Sequence, residues 1–194
     1  MEIGMFGVKG GSGVTTTATM LFSHLAHRKN SVTMVTDSDG MAACGMSTSV
    51  AQQRHGDLGV VLNTEVDRTS VPTGDIIIRD GMPVSDGINL LVIRPCYLFL
   101  RRLVAVQDSI GRVKIPSVLY DVKVDGIILI TEMGRALGKV DVERASGIQV
   151  VAEIPFSPTI SRASDAGLLL TRMPSDASEA MESILNSLVT TVEL

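Results

Sequence analysis

Lys9-Gly10-Gly11-Ser12-Gly13-Val14-Thr15-Thr16 gathers a lysine, three glycines and three hydroxyls into eight residues. The segment stands between an apolar stretch and a run with helical spacing. A glycine-rich turn that enters a helix aims main-chain N–H groups and the positive helix end at an anion, and phosphate suits that geometry. Thr15 and Thr16 stand where a hydroxyl reaches a magnesium ion beside the phosphate. Such loops ordinarily carry a lysine where this chain has Val14, adding a full charge beside the outer phosphates. A tight surface turn is the plain alternative. The strand signal before the loop and the helix signal after it favour the phosphate reading.

Three carboxylates add to that chemistry. Ser31 to Thr36 reads as a strand ending at Asp37-Ser38-Asp39-Gly40, which sets two carboxylates at the strand's carboxyl end, where α/β sheets place their sites. Asp75-Ile76-Ile77-Ile78-Arg79-Asp80 is a buried strand bracketed by aspartates, and the turn-forming Gly81-Met82-Pro83 places Asp80 at its end. Asp75 reads as a strand cap. His24 and His27 share a helix face but lack a third ligand, so they read as a packed or solvated pair.

The elements that must position these groups alternate. Ile3 to Val8 reads as a buried strand and Thr16 to His27 as a helix. Asn89 to Ile93, Gly126 to Ile130 and Gln149 to Ile154 are further apolar strands, with helices around Tyr97 to Asp108 and Asp141 to Ala145 between them. The alternation predicts an α/β fold of three layers, a mostly parallel sheet with helices on both faces. Between Gly40 and Gly74 the pattern is weaker and suggests a short helix near Ala42 to Arg54 followed by an exposed loop. Ser175 to Val189 reads as a closing helix capped by Ser175. No repeat or linker divides the chain, so one domain over 1–194 is expected.

Composition narrows the function classes. Hydrophobic residues make up 45% of 194 positions, enough for a substantial core. The formal net charge of -4 argues against a strongly electrostatic nucleic-acid binder, although a local basic patch is compatible with it. Aromatic residues at 3%, with no tryptophan, disfavour base-stacking platforms for single strands. Two cysteines, Cys44 and Cys96, suggest neither a disulfide framework nor a zinc site, which fits a reducing, cytoplasmic setting. No run approaches the roughly 18 apolar residues of a membrane span. Arg101-Arg102, with Arg112 and Lys114, reads first as a solvated helix end and second as a basic surface for DNA or a partner.

Taken in order, Lys9 to Thr16, Asp37-Ser-Asp39 and Asp75 to Asp80 resemble the deviant Walker-A ATPases of the ParA/MinD family. Gly134-Arg135-Ala136-Leu137, Asp141-Val142-Glu143, Val150 to Pro155, Ser161-Arg162-Ala163 and Asp165-Ala166-Gly167 extend the resemblance over nearly the whole chain. The lysine-glycine-glycine opening is the most specific part.

The resemblance implies a P-loop NTPase fold that binds ATP or ADP with Mg2+ through Gly10, Gly11, Ser12, Gly13, Val14, Thr15 and Thr16. Lys9 would be the signature lysine reaching a partner's nucleotide across a dimer, and Thr15 the magnesium hydroxyl. Asp37 and Asp39 would hold metal-bound or attacking water, Asp80 would be the Walker-B carboxylate, and Pro155-Phe156-Ser157 would lie near the adenine. It also implies a homodimer or higher assembly, a ParB-like or other adaptor, non-specific DNA as a possible partner, and a role in partition or positioning of plasmid or chromosomal DNA or another large cargo. Val14 departs from the pattern. Transfer depends on a preorganised cation there, so hydrolysis is expected to be impaired, and a pseudo-ATPase scaffold acting through dimer or filament contacts is the alternative. The last helix has no lysine or arginine over Ser175 to Val189, which disfavours a MinD-type lipid-binding segment.

Overall fold

The computed structural model describes residues 1–28, 31–45, 52–55, 58–62, 75–108, 112–114, 121–134 and 136–192; for 38, 39, 41, 52–55, 58–62, 121 and 189–192 only the backbone is described. The first half runs β1 (Glu2–Phe6), α1 (Val14–His27), β2 (Val32–Thr36), α2 (Ser38–Ala43), β3 (Gln52–His55), β4 (Leu58–Leu62) and β5 (Ile76–Asp80). The second half runs β6 (Ile88–Ile93), α3 (Tyr97–Val106), β7 (Arg112–Lys114), β8 (Asp121–Lys123), β9 (Gly126–Thr131), α4 (Lys139–Ser146), β10 (Val150–Pro155), α5 (Pro158–Asp165) and α6 (Ser175–Val192).

Eight strands form one sheet in the order β10-β9-β6-β1-β5-β2-β4-β3. All neighbours pair in parallel except β3 with β4. Parallel strands are covered on both faces and so read as continuous apolar runs. Because side chains alternate along a strand, each run is divided between two layers. Leu90, Val92, Ile128 and Ile130 enter the core under α1 and α6, with Met20, Leu21, Met181 and Ile184. Leu91, Ile93, Ile127 and Leu129 enter the other, with Phe99 and Leu103 of α3 and Val142 of α4. Each fully buried aliphatic side chain contributes about 1.5–3 kcal/mol by its removal from water.

β1 lies at the point where the chain's excursions change direction, with β5 on one side and β6 on the other. The crevice outside the carboxyl ends of such strands is where doubly wound sheets bind ligands. Gly4 is needed here because a Cβ would lie 2.8 Å from both the Asn89 side chain and the Met82 carbonyl oxygen.

The stretch after Gly40 departs from expectation. The helix begins already at Ser38, and strands β3 and β4 occupy part of the region read as helix and loop; residues 46–51, 56–57 and 63–74 lie outside the described residues. Asp37 starts the helix by accepting a hydrogen bond from the Gly40 N–H at 3.0 Å. A Cβ on Gly40 would meet the Thr36 hydroxyl at 1.8 Å, so this glycine permits helix closure on the strand end rather than marking a turn. β4 is held by parallel pairing to β2 over five positions, a tertiary effect that local pattern does not carry. At α6 the N–H groups of Ala177 and Ser178 both bond the Pro174 carbonyl, so Ser175 lies inside the first turn and is not its cap.

Candidate functional site

The chain leaves β1 at Phe6 and turns back into α1 at Val14. Gly11 (φ 75°) and Gly13 (φ 89°) adopt the left-handed conformation that glycine supplies without steric cost. The buried Ser12 donates its hydroxyl to the Lys9 carbonyl at 3.0 Å and cross-braces the bend. The first intrahelical bond runs from the Thr17 N–H to the Gly13 carbonyl at 3.0 Å. The N–H groups of Val14, Thr15 and Thr16 therefore open at the helix mouth without intrahelical acceptors, and no side chain caps them from Gly13. A Cβ at Gly10 or Gly11 would meet nothing within 4 Å, so the outer face of the bend is open. This is an anion-receptive nest of main-chain donors.

Val14 is half-buried and packs on the core under α1. Its Cγ2 lies 3.2 Å from where a Cβ on Gly7 would be, so the isopropyl group closes against the loop's stem. Lys9 is exposed on the loop.

Asp80, the last residue of β5, is buried next to the loop. Its two oxygens accept from different hydroxyls, Thr15 at 3.3 Å and the fully buried Thr36 at 2.6 Å. Thr15, Thr36 and Asp80 thus tie α1, β2 and β5 together at the rim. Asp37 is exposed and engaged with the start of α2, while the Asp39 side chain lies outside the described residues. Cys44 sits within the field of Asp80. Burial pushes its thiol up to about 12, the Asp80 charge adds to the rise, and the neighbouring Thr19 hydroxyl pulls the other way.

The Thr15 hydroxyl and Asp80 carboxylate are hard oxygen donors of the kind magnesium prefers. Among the described residues no cluster of three or more His, Cys, Asp or Glu gathers to form a metal cage. These two side chains fit a dication that completes its shell with phosphate oxygens and water.

On the other side of the α1 mouth is a cavity of about 220 Å³. Gly13 and Thr16 line it from the loop side, and Pro155, Phe156 and Ser157 from the end of β10. Ile130, Ile154 and Ile160 give it apolar walls, while Ser161, Ser164, Asp165 and Arg94 bring polar groups. The Thr16 and Ser164 hydroxyls approach to 3.5 Å. The fold therefore brings Gly13, Thr16 and Pro155–Ser157 to one cavity, although about 140 residues of sequence separate them.

Sequence reasoning missed Thr36, Arg94 and α5. Thr36 and Arg94 carry a weak signal, each being a polar residue at the carboxyl end of an apolar strand. Ser157-Pro158 is a stronger one. A serine before a proline starts helices, and the Ser157 hydroxyl indeed accepts from the Thr159 N–H at 3.2 Å. His24 is packed, whereas His27 is exposed near the end of α1. His24 is buried 3.3 Å from Glu182 of α6, and His27 Nδ1 lies 2.7 Å from the Ser23 carbonyl oxygen. Arg101 and Arg102 are exposed on α3.

No protein-family model matches the chain, and no curated protein does either. Solved structures do. The septum site-determining protein MinD of Pyrococcus horikoshii, solved with Mg-ADP, is similar with a TM-score of 0.73 at 15% identity, over 100% of this chain and 98% of that one. A ParA family ATPase from Chlorobium tepidum gives 0.63 at 15% identity, over 93% and 95%. A putative plasmid partition protein of Borrelia burgdorferi bound to AMPPNP gives 0.65 at 12% identity, over 98% and 98%. The chain has the three-layer P-loop NTPase fold expected from its sequence. Within that class its fold is that of the MinD and ParA ATPases, in line with the resemblance read from its motifs.

Proposed function

We propose that this chain is a ParA-like positioning protein that binds an adenine nucleotide with Mg2+ and hydrolyses it slowly or not at all. The observation that carries this reading is the convergence on one rim of an open nest at Gly10–Thr16, a Thr15–Asp80 pair and a cavity ending at Pro155–Ser157. In this reading the phosphates lie on the N–H groups of residues 13 to 16, Thr15 and Asp80 hold the magnesium shell, and the base enters the cavity. Lys9, exposed on the loop, crosses to the nucleotide of a second copy in a homodimer or higher assembly. Asp37 and Asp39 flank the outer phosphate. An adaptor protein, ParB-like or otherwise, selects the cargo, which is plasmid or chromosomal DNA or another large body, in the cytoplasm. No described helix is long and apolar enough to cross a membrane.

Val14 sets the expected rate. A magnesium ion and main-chain dipoles still bind phosphate, but no lysine at that position neutralises charge that develops during transfer. The same observation supports a second reading, a scaffold that has kept the fold for assembly and no longer answers to nucleotide. Calorimetry with Mg-ATP and Mg-ADP separates the two: saturable, magnesium-dependent binding supports the first, and silence at millimolar ligand supports the second. Turnover assays with and without the adaptor, and DNA binding across a salt series, then test hydrolysis and direct DNA contact.

A further inference from the structure

We propose that Arg94 recognises the base end of the bound nucleotide, its guanidinium forming one wall of the cavity and its Nε–H donating to an acceptor on the edge of the base. The inference rests on the nucleotide reading above and adds to it a residue that no motif supplies.

Arg94 follows β6 and Phe156 follows β10, with β9 lying between those strands. At strand spacings of about 4.8 Å, the backbones are about 10 Å apart. Yet the Arg94 Cζ lies 5.4 Å from the centre of the Phe156 ring. The side chain therefore crosses the end of β9, where its Nη1 meets the partly buried Glu132 at 3.7 Å. Pro95 disfavours helical geometry at Arg94 and helps hold it extended at the rim.

Phe156 takes the guanidinium's face and Glu132 one of its terminal nitrogens. The Nε–H is left over, buried without an acceptor among the described residues, a standing cost that a small shift of the 42%-exposed side chain toward a ligand acceptor in the cavity removes. Arg94 lines the same cavity as Gly13 and Thr16, so it meets the far end of a ligand whose phosphates sit at the α1 mouth. Flat apolar walls at Ile130 and Ile154 suit ring faces, and Asp165 and Ser161 offer acceptors for an exocyclic amine. A heteroaromatic base with both an acceptor edge and an amino group fits this set, and an inorganic polyphosphate does not use it.

The test is calorimetry of the wild type, Arg94→Ala and Arg94→Lys with Mg-ATP and with magnesium tripolyphosphate, after melting curves establish that each variant folds. Arg94→Ala is expected to weaken ATP tenfold or more and to leave tripolyphosphate within twofold of wild type. Arg94→Lys, which keeps the charge and loses the planar fork, is expected to recover only part of the ATP affinity. Equal losses for both ligands, unchanged ATP binding, or full recovery with lysine would overturn the assignment. If Arg94→Ala fails to fold, Arg94→Lys alone decides by its ATP-to-tripolyphosphate ratio. A wild type that binds neither ligand defeats the nucleotide reading itself. One that binds both equally well defeats only the role of Arg94.

Discussion

The two ends of the candidate site are built differently. At the loop end, positions are set by main-chain conformation and by a buried carboxylate between two hydroxyls, and the position that ordinarily carries a lysine is occupied by a valine turned into the core. At the base end, positions are set by side chains from four separate elements, and an arginine stacked on an aromatic ring crosses the rim. The loop end thus offers neutral donors where a cation is expected, while the base end holds a cation that no motif predicts. The contrast teaches that affinity and catalysis draw on different parts of such a site. In the proposed reading, main-chain donors and the cavity support binding, whereas transfer would lack a cation at position 14.

Breaking the loop end is expected to have the largest effect. Asp80→Ala removes the acceptor of Thr15 and of the fully buried Thr36. A buried hydroxyl left without its partner costs about 1–3 kcal/mol, which a denaturant titration will read as a lower midpoint at unchanged slope. In calorimetry the magnesium dependence of ATP binding is expected to vanish, and Asp80→Asn, which keeps the shape, is expected to recover stability more than magnesium dependence.

Restoring the absent charge sharpens the comparison from the other side. Val14→Lys is expected to tighten Mg-ATP by about tenfold to a hundredfold, as a charged hydrogen bond contributes about 1.5–3 kcal/mol. It is also expected to raise turnover more than affinity, measured by phosphate release. No change in either quantity would mean that the Val14 packing has reshaped the loop beyond rescue by one side chain.

A smaller effect is expected at the base end from Phe156→Ala. The ring is 47% exposed, so its loss costs little stability, while the stacked guanidinium loses a contact of about 0.5–2 kcal/mol. ATP affinity should fall severalfold with tripolyphosphate affinity unchanged. The smallest effect concerns Cys44 beneath the loop end. Its thiol ionises at about 12 in the fold against 9.0 ordinarily, so the folded state keeps a proton that the unfolded chain gives up. Its contribution is full below pH 9 and is lost as pH rises from 9 towards 12. Chemical denaturation over that range should show a shallower alkaline loss in Cys44→Ala than in the wild type.

How much of this was legible in the sequence follows the same division. Local signals carried the loop end: glycines at Gly11 and Gly13 that the bend requires, a strand ending at Asp80, a helix beginning within two residues of Thr16. The apolar runs of β6 and β9 marked a covered sheet because each strand feeds two cores. Strands β3 and β4 escaped because pairing with β2 overrode a weak local pattern. Arg94 escaped for a related reason. Its role depends on reaching over β9 to Phe156, 62 positions away in the chain, and a lone arginine before a proline says nothing of that. The Ser157-Pro158 start of α5 is by contrast a local signal, legible without the fold.

The most direct test of the central claim, that main-chain donors at the α1 mouth receive phosphate without a lysine at position 14, is an amide NMR titration of the wild type with Mg-ATP. The account predicts saturable downfield shifts of the Gly13, Val14, Thr15 and Thr16 amide protons, larger than those elsewhere in the chain. Saturation of the protein with those four resonances unmoved, or no response at millimolar ligand, would contradict it.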